Sequence, residues 1–237
     1  PFGLVRDGVA PDRGNIRSIT RTFDRIEDQD GFSWFGNVQV GGDVSVDALR
    51  ERFHAVIAAS GASKSRTLDI QGEDLAGCMN VASFAGWYNG SLGGVENLPD
   101  LTQPAVVIIG AGNAALDAAR ILASNPDDLA DTDIAADALK ALGKSAVTDI
   151  HIVARRGPLQ ARFSSEELLE LAKIPKCRME IHADMEPDLG ENHDENTERL
   201  QNAYRKLAQL SEQQKDADKC VHFHFNMNPF GLKIGRA

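Results

Sequence analysis

Gly110-Ala-Gly-Asn-Ala-Ala115 is a G-x-G-x-x-A run set between the apolar stretch Ala105–Ile109 and a segment of helical periodicity. Gly110 permits a tight strand-to-helix turn, and Gly112 leaves the main chain bare where an anion can approach. Small Ala115 lets the helix pack closely on the strand. The unpaired N–H groups of the first helical turn, aided by the helix dipole, favour phosphate. The chemistry this points to is dinucleotide binding; the alternative is a turn whose glycines serve packing alone. The following strand ends in Arg155-Arg156-Gly157, where a site for the unphosphorylated coenzyme would carry an acidic residue for the ribose hydroxyl. Two guanidiniums suit a 2′-phosphate, each charge-assisted bond contributing about 1.5–3 kcal/mol. This favours NADP over NAD, against the alternative of an exposed basic pair.

The elements that must position these groups read as an α/β fold with a Rossmann-like parallel sheet. Ala105–Ile109 is a continuous apolar run suited to a central parallel strand. A helix follows over about 113–123, a further short helix over 134–142 capped by Thr132 or Asp133, and a strand over 149–154. Ser164 or Ser165 caps a helix running to Leu171, residues 184–198 are acidic and loop-like, 198–213 form a helix, and 221–225 alternate as a strand. Upstream, an amphipathic helix is expected over 11–29, a strand over 37–40, a helix over 46–53 capped by Ser45, and a buried strand over 54–59. Residues 64–103, rich in Gly, Ser and Asn, read as a connector.

Composition bounds the function. The chain has 237 residues, 42% of them hydrophobic, enough for a sizeable core. A formal net charge of −10 argues against nucleic acid as a partner. No apolar run is long enough to span a membrane. Three widely spaced cysteines, Cys78, Cys177 and Cys220, fit free thiols in a reducing compartment, and the location expected is cytoplasmic.

Phe2-Gly-Leu-Val-Arg6 with Gly8-Val-Ala-Pro-Asp12, Phe35-Gly-Asn-Val38, Gly86-Trp-Tyr-Asn-Gly90, Gly110-x-Gly-Asn113 with Leu116-Asp117, and Arg155-Arg-Gly-Pro-Leu-Gln160 occur in this order. Together they resemble the adrenodoxin-reductase-like ferredoxin–NADP reductases, from residue 1 to about Glu170. The resemblance implies an oxidoreductase in which NADPH passes a hydride to FAD and the flavin passes single electrons to a ferredoxin or similar iron–sulfur protein. It further implies NADP contacts at Gly110, Ala111, Gly112, Asn113, Ala114, Arg155, Arg156 and Glu167, and FAD contacts at Leu4 and Val40. Residues 1–64 would be part of an FAD-binding lobe and 65–237 most of the NADP-binding domain. On this reading the chain is an excerpt of about half the enzyme, inactive alone and with at most weak FAD affinity.

Two departures stand out. The family usually has His after Ala-Pro-Asp, and this chain has Arg13, which would form a salt bridge with Asp117 and put the proton route near the flavin in doubt. Gln71 and Ala76 replace prolines of the connector. Two other readings stay open: a flavoprotein resembling the small subunit of glutamate synthase, and a stand-alone NADP-binding module without redox chemistry.

Arg13, Arg17, Arg21 and Arg25 recur every four residues and would form a basic stripe on a helix. Such a stripe could steer an acidic ferredoxin, or simply face solvent. His222 and His224 share one face of a strand, but no further ligand follows at metal-binding spacing, so a polar strand face is expected and no metal. Trp87 and Tyr88 suit either the nicotinamide side or core packing.

Overall fold

The computed structural model describes residues 3–62, 65–91, 98–183, 195–214 and 216–233. Its helices in chain order are α1 (Gly3–Asp7), α2 (Gly14–Arg17), α3 (Thr20–Glu27), α4 (Val46–Arg52), α5 (Val81–Asn89), α6 (Asn113–Ala123), α7 (Pro126–Leu129), α8 (Ala136–Leu142), α9 (Ser165–Leu171) and α10 (Glu195–Glu212). The strands are β1 (Ala105–Ile109), β2 (Asp149–Val153), β3 (Cys177–His182) and β4 (Lys219–His224).

All strand pairings in this sheet are parallel, in the order β1-β2-β4-β3. Side chains alternate across a strand, so each strand divides its residues between two faces. One face carries Ile150, Ile152, Met179, Val221 and Phe223, all fully or almost fully buried. They lie beneath α6, α9 and α10, whose Leu116, Ile121, Leu168, Leu171, Leu200 and Leu207 are at most 1% exposed. In α10 the spacing of Leu200, Ala203, Tyr204 and Leu207 is that of one helical face. Burying each such leucine contributes about 1.5–3 kcal/mol. The opposite face carries His151, His222, His224, Glu180 and His182, by the same alternation.

β1 is an edge strand among the described residues, not a central one, and Val107 is 57% exposed. An unbroken apolar run does not distinguish the two positions, because apolarity on both faces says nothing about how many neighbours pair with the backbone. The connector read over 64–103 contains α5, which buries Phe84, Trp87 and Tyr88. Asn80 Oδ1 accepts from the Ser83 N–H at 2.8 Å, and Gly90 closes the helix in the left-handed conformation at φ 67°. Trp87 and Tyr88 therefore belong to the core.

The upstream segment differs more. The helix expected over 11–29 breaks at Ser18, whose hydroxyl donates to the Asn15 carbonyl at 2.6 Å, and continues as α3. Residues 54–59, read as a buried strand, are exposed and carry no ladder partner among the described residues; Ile57 is 88% exposed. The strand expected over 37–40 reduces to a single bridge, Val40 to Val44. Ser45 caps α4 as expected, accepting from the Ala48 N–H at 3.1 Å. Thr132 and Asp133 do not cap α8, whose N-cap is Ala135. Residues 184–194 of the acidic stretch lie outside the described residues, and from Glu195 the chain is helical.

Residue 71 and residue 231 form a bridge, with the Leu232 N–H donating to the Gln71 carbonyl at 2.7 Å. Gly72 between them has φ +87°, and a Cβ there would lie 2.3 Å from the Leu232 carbonyl oxygen. Only glycine fits.

Candidate dinucleotide site

The turn at the end of β1 is built from two different glycine requirements. Gly110 has φ +128°, a conformation that side chains rarely adopt, and its N–H donates to the Val153 carbonyl at 2.9 Å. Gly112 has an ordinary extended conformation, and a Cβ there would meet no atom within 4 Å. Nothing among the described residues calls for glycine at Gly112, whereas a group approaching the bare backbone from outside would. Gly112 is also the N-cap of α6 without a side-chain cap, so the first N–H groups of an 11-residue helix are left open at this turn. Ala115 is 7% exposed, as close helix–strand packing requires.

The next wall comes from the segment after β2. Arg155 and Arg156 are exposed, and neither guanidinium has a hydrogen-bond or ion-pair partner among the described residues. Their backbone is nonetheless fixed. The Met227 and Asn226 N–H groups donate to Ala154 and Arg156 carbonyls at 3.0 and 3.2 Å. The same loop returns to the glycine turn, with the Arg162 N–H donating to Ala111 at 2.8 Å and the Ser164 N–H to Asn113 Oδ1 at 3.3 Å. The structure thus brings Gly110 through Ala114 and the Arg155–Arg156 segment to the same, carboxyl end of the sheet.

Glu167 belongs to a different cluster. Ser164 caps α9 by accepting the Glu167 N–H at 3.2 Å, and the Glu167 carboxylate pairs with Arg13 and lies 4.0 Å from Arg120. Arg13 Nε stands 3.7 Å from Asp117, the salt bridge anticipated for that pair, although Glu167 is the nearer partner. Arg120, only 5% exposed, grips Asp12 with two bonds of 2.5 and 2.8 Å and approaches Asp117 at 2.8 Å. Burial works against the Asp12 carboxylate, yet the Arg120 hydrogen bond and charge outweigh it and hold the carboxyl below its usual range. Burial and the neighbouring Arg120 charge lower the Arg13 guanidinium. Sequence reasoning missed Arg120 and Asp12 as a pair. The available signal was a charge inside an apolar helix, three residues after Asp117.

The arginine stripe divides. Arg13 enters the cluster, and Arg17 donates to the Val9 carbonyl at 2.8 Å and pairs with Asn89 and Asp133. Arg21 and Arg25 stay exposed. Leu4 and Val40 are 77% and 55% exposed, so neither is committed to the protein's own core. All three cysteines are free, Cys177 and Cys220 buried, and burial pushes the Cys177 thiol up to about 12.

No family model matches the chain. NADPH:adrenodoxin oxidoreductase of Bos taurus is 47% identical over 178 residues, covering 75% of this chain and 36% of the bovine protein. NADPH-ferredoxin reductase FprA of Mycobacterium tuberculosis is 49% identical over 174 residues, covering 73% and 38% respectively. The structure of Mycobacterium tuberculosis FprA in complex with NADPH superposes with a TM-score of 0.87 at 39% identity, covering 100% of this chain and 52% of that one. The chain is homologous to the adrenodoxin-reductase-like ferredoxin–NADP reductases over about three quarters of its own length. It spans roughly a third to a half of the length of the relatives it matches. Its fold, a parallel sheet with a glycine turn after β1, is the Rossmann-like α/β arrangement. Among the described residues no helix is long and apolar enough to cross a membrane.

Proposed function

We propose that the protein carrying this chain is a ferredoxin–NADP reductase. The observation that carries the reading is the Gly110–Gly112 turn, at the same end of the sheet as two guanidiniums that have no partner among the described residues. Ala111, Gly112, Asn113 and Ala114 would hold the pyrophosphate through backbone N–H groups, Gly110 would shape the turn that presents them, and Arg155 and Arg156 would hold the 2′-phosphate. Bound NADPH would supply a hydride, and a bound FAD the capacity to release that electron pair singly to a ferredoxin.

Glu167 would act at the edge of this site through Arg13, fixing that guanidinium in place of the usual histidine. An arginine stays protonated and cannot shuttle a proton at neutral pH, so any proton taken up at the flavin must arrive by another group or by water. Leu4 and Val40, exposed and apolar, would lie against FAD. Residues 1–64 are then read as part of an FAD-binding lobe and 65–237 as the NADP-binding domain. Exposed Ile16, Ile19, Trp34, Phe35 and Ile57, all in residues 1–64, support this, because so many large apolar side chains left at a surface call for a covering partner. Free cysteines support a reducing compartment, and we place the protein in the cytoplasm.

The test is anaerobic mixing of the purified full-length protein with NADPH or NADH, followed by a ferredoxin. Flavin bleaching by NADPH, weak bleaching by NADH, and reduction of the ferredoxin are expected. A protein that binds NADPH without any bound flavin would favour the nucleotide-sensing alternative instead.

A further inference from the structure

The open face of the sheet carries a cluster that the dinucleotide site does not use. Glu180 and His182 on β3 meet His222 on β4 because the register pairs Glu180 with His222 and His182 with His224. Three potential ligand atoms converge. His222 Nδ1 is 3.2 Å from Glu180 Oε2 and 3.4 Å from His182 Nε2, and His182 Nε2 is 3.8 Å from Glu180 Oε2.

These separations can be compared with a coordination shell. Zn²⁺ binds imidazole nitrogen and carboxylate oxygen at about 2.0–2.2 Å in a tetrahedron, which places neighbouring ligand atoms about 3.3–3.6 Å apart. The three edges found here bracket that value.

The outer contacts are those a metal centre needs. The second ring nitrogen of His222, Nε2, lies 3.0 Å from Asp149 Oδ1. Donation of its hydrogen to that carboxylate leaves Nδ1 as a lone pair facing Glu180 and His182, and makes the ring a stronger ligand. Glu180 is oriented in the same way. Its Oε1 is taken by Arg178 at 2.6 Å, so Oε2 is the oxygen turned to the histidines. The His182 ring is stacked on His224 with centroids 4.6 Å apart and planes within 5°. His224 itself is joined to His151 at 3.0 Å and is not one of the three converging groups.

We propose that Glu180, His182 and His222 form a zinc site with Asp149 as the orienting carboxylate and a water in the fourth position. The ion would join β3, at one edge of the sheet, to β4. The metal-free alternative is a His222 ring hydrogen-bonded between Asp149 and Glu180, and it makes the opposite prediction for metal titration.

The experiment is isothermal titration of Zn²⁺ into the chelator-treated full-length protein, with NADPH binding as the check that each variant is folded. One saturable equivalent is expected in the unaltered protein. His222→Gln and Glu180→Gln should each abolish it, and Asp149→Ala should weaken it by about 10- to 100-fold. His224→Gln should change it by less than about threefold, since that residue supplies no converging atom. Co²⁺ in place of Zn²⁺ should give the intense visible bands of a tetrahedral ion. No saturable binding, or binding that survives both His222→Gln and Glu180→Gln, would overturn the proposal.

Discussion

Replacing Arg156 or Arg155 with alanine tests the phosphate grip most directly. Neither guanidinium has an intramolecular partner among the described residues and both are exposed, so the substitution breaks no contact within the fold. Stability should stay within about 0.5 kcal/mol of the parent. A charge-assisted bond to the 2′-phosphate is worth about 1.5–3 kcal/mol, and each 1.4 kcal/mol is tenfold, so each variant should bind NADPH about 10- to 150-fold more weakly. NADH lacks that phosphate. Its affinity should change only by the small loss of general attraction to the pyrophosphate, which both coenzymes share. The informative quantity is therefore the ratio of the two dissociation constants, measured by calorimetry on the same preparation. The double variant should not simply multiply the single effects, because the two groups would share one ligand. If the two coenzymes lose affinity equally, or if neither loses any, the assignment of these arginines to the 2′-phosphate is refuted.

Four further outcomes are expected. Arg120→Met leaves Asp12 and Asp117 without their buried partner and should destabilise the protein by about 3–5 kcal/mol, read as a lower Tm; an unchanged Tm would remove the network from the stabilising contacts. Gly72→Ala combines left-handed strain with a clash against the Leu232 carbonyl. A cost of about 2–4 kcal/mol should appear as faster hydrogen exchange at the Leu232 amide. His151 and His224 are held below the ordinary histidine range by burial and by neighbouring histidines. The unfolded chain then binds more protons, so stability should fall as pH drops below about 6.5 and level off once the folded-state values are passed. Asp12, also depressed, acts in a lower window: its contribution is present above the unfolded value near 3.8 and is lost as pH falls through the folded one. A denaturation series across pH 3–8 (on the order of half-unit steps) separates the two, and a flat profile would contradict both.

The parts legible in the sequence were those fixed by local chemistry. The turn after β1 and helix α6 over Asn113–Ala123 follow from a glycine pair and an apolar helix, and Ser45 and Ser164 announce their caps by position. What escaped was decided by distant partners. Residues 54–59 have the composition of a buried strand, but nothing among the described residues pairs with them. Helix α5 was hidden because its Asn80 cap and Gly90 terminator sit in a stretch whose average composition is that of a loop. β3 alternates buried Cys177 and Met179 with Arg178 and Glu180, too few apolar positions for a clear period. The same holds for the candidate sites. Arg155 and Arg156 are neighbours in sequence, whereas Arg13 and Glu167 are separated by 154 positions. His222 and His224 have no ligand at metal-binding spacing along their own strand, and the groups that converge on His222 come from the next strand.

The bridge between Gln71 and Gly231 has a mechanical meaning. A polypeptide passing once between two bodies can swivel about its single bonds. Two passes stitched together at one point, with the Leu232 carbonyl too close to Gly72 for any side chain, are harder to twist against each other than a single pass. Turning either strand of chain about its own axis at this point would break the Leu232–Gln71 hydrogen bond, so the two are held in register here.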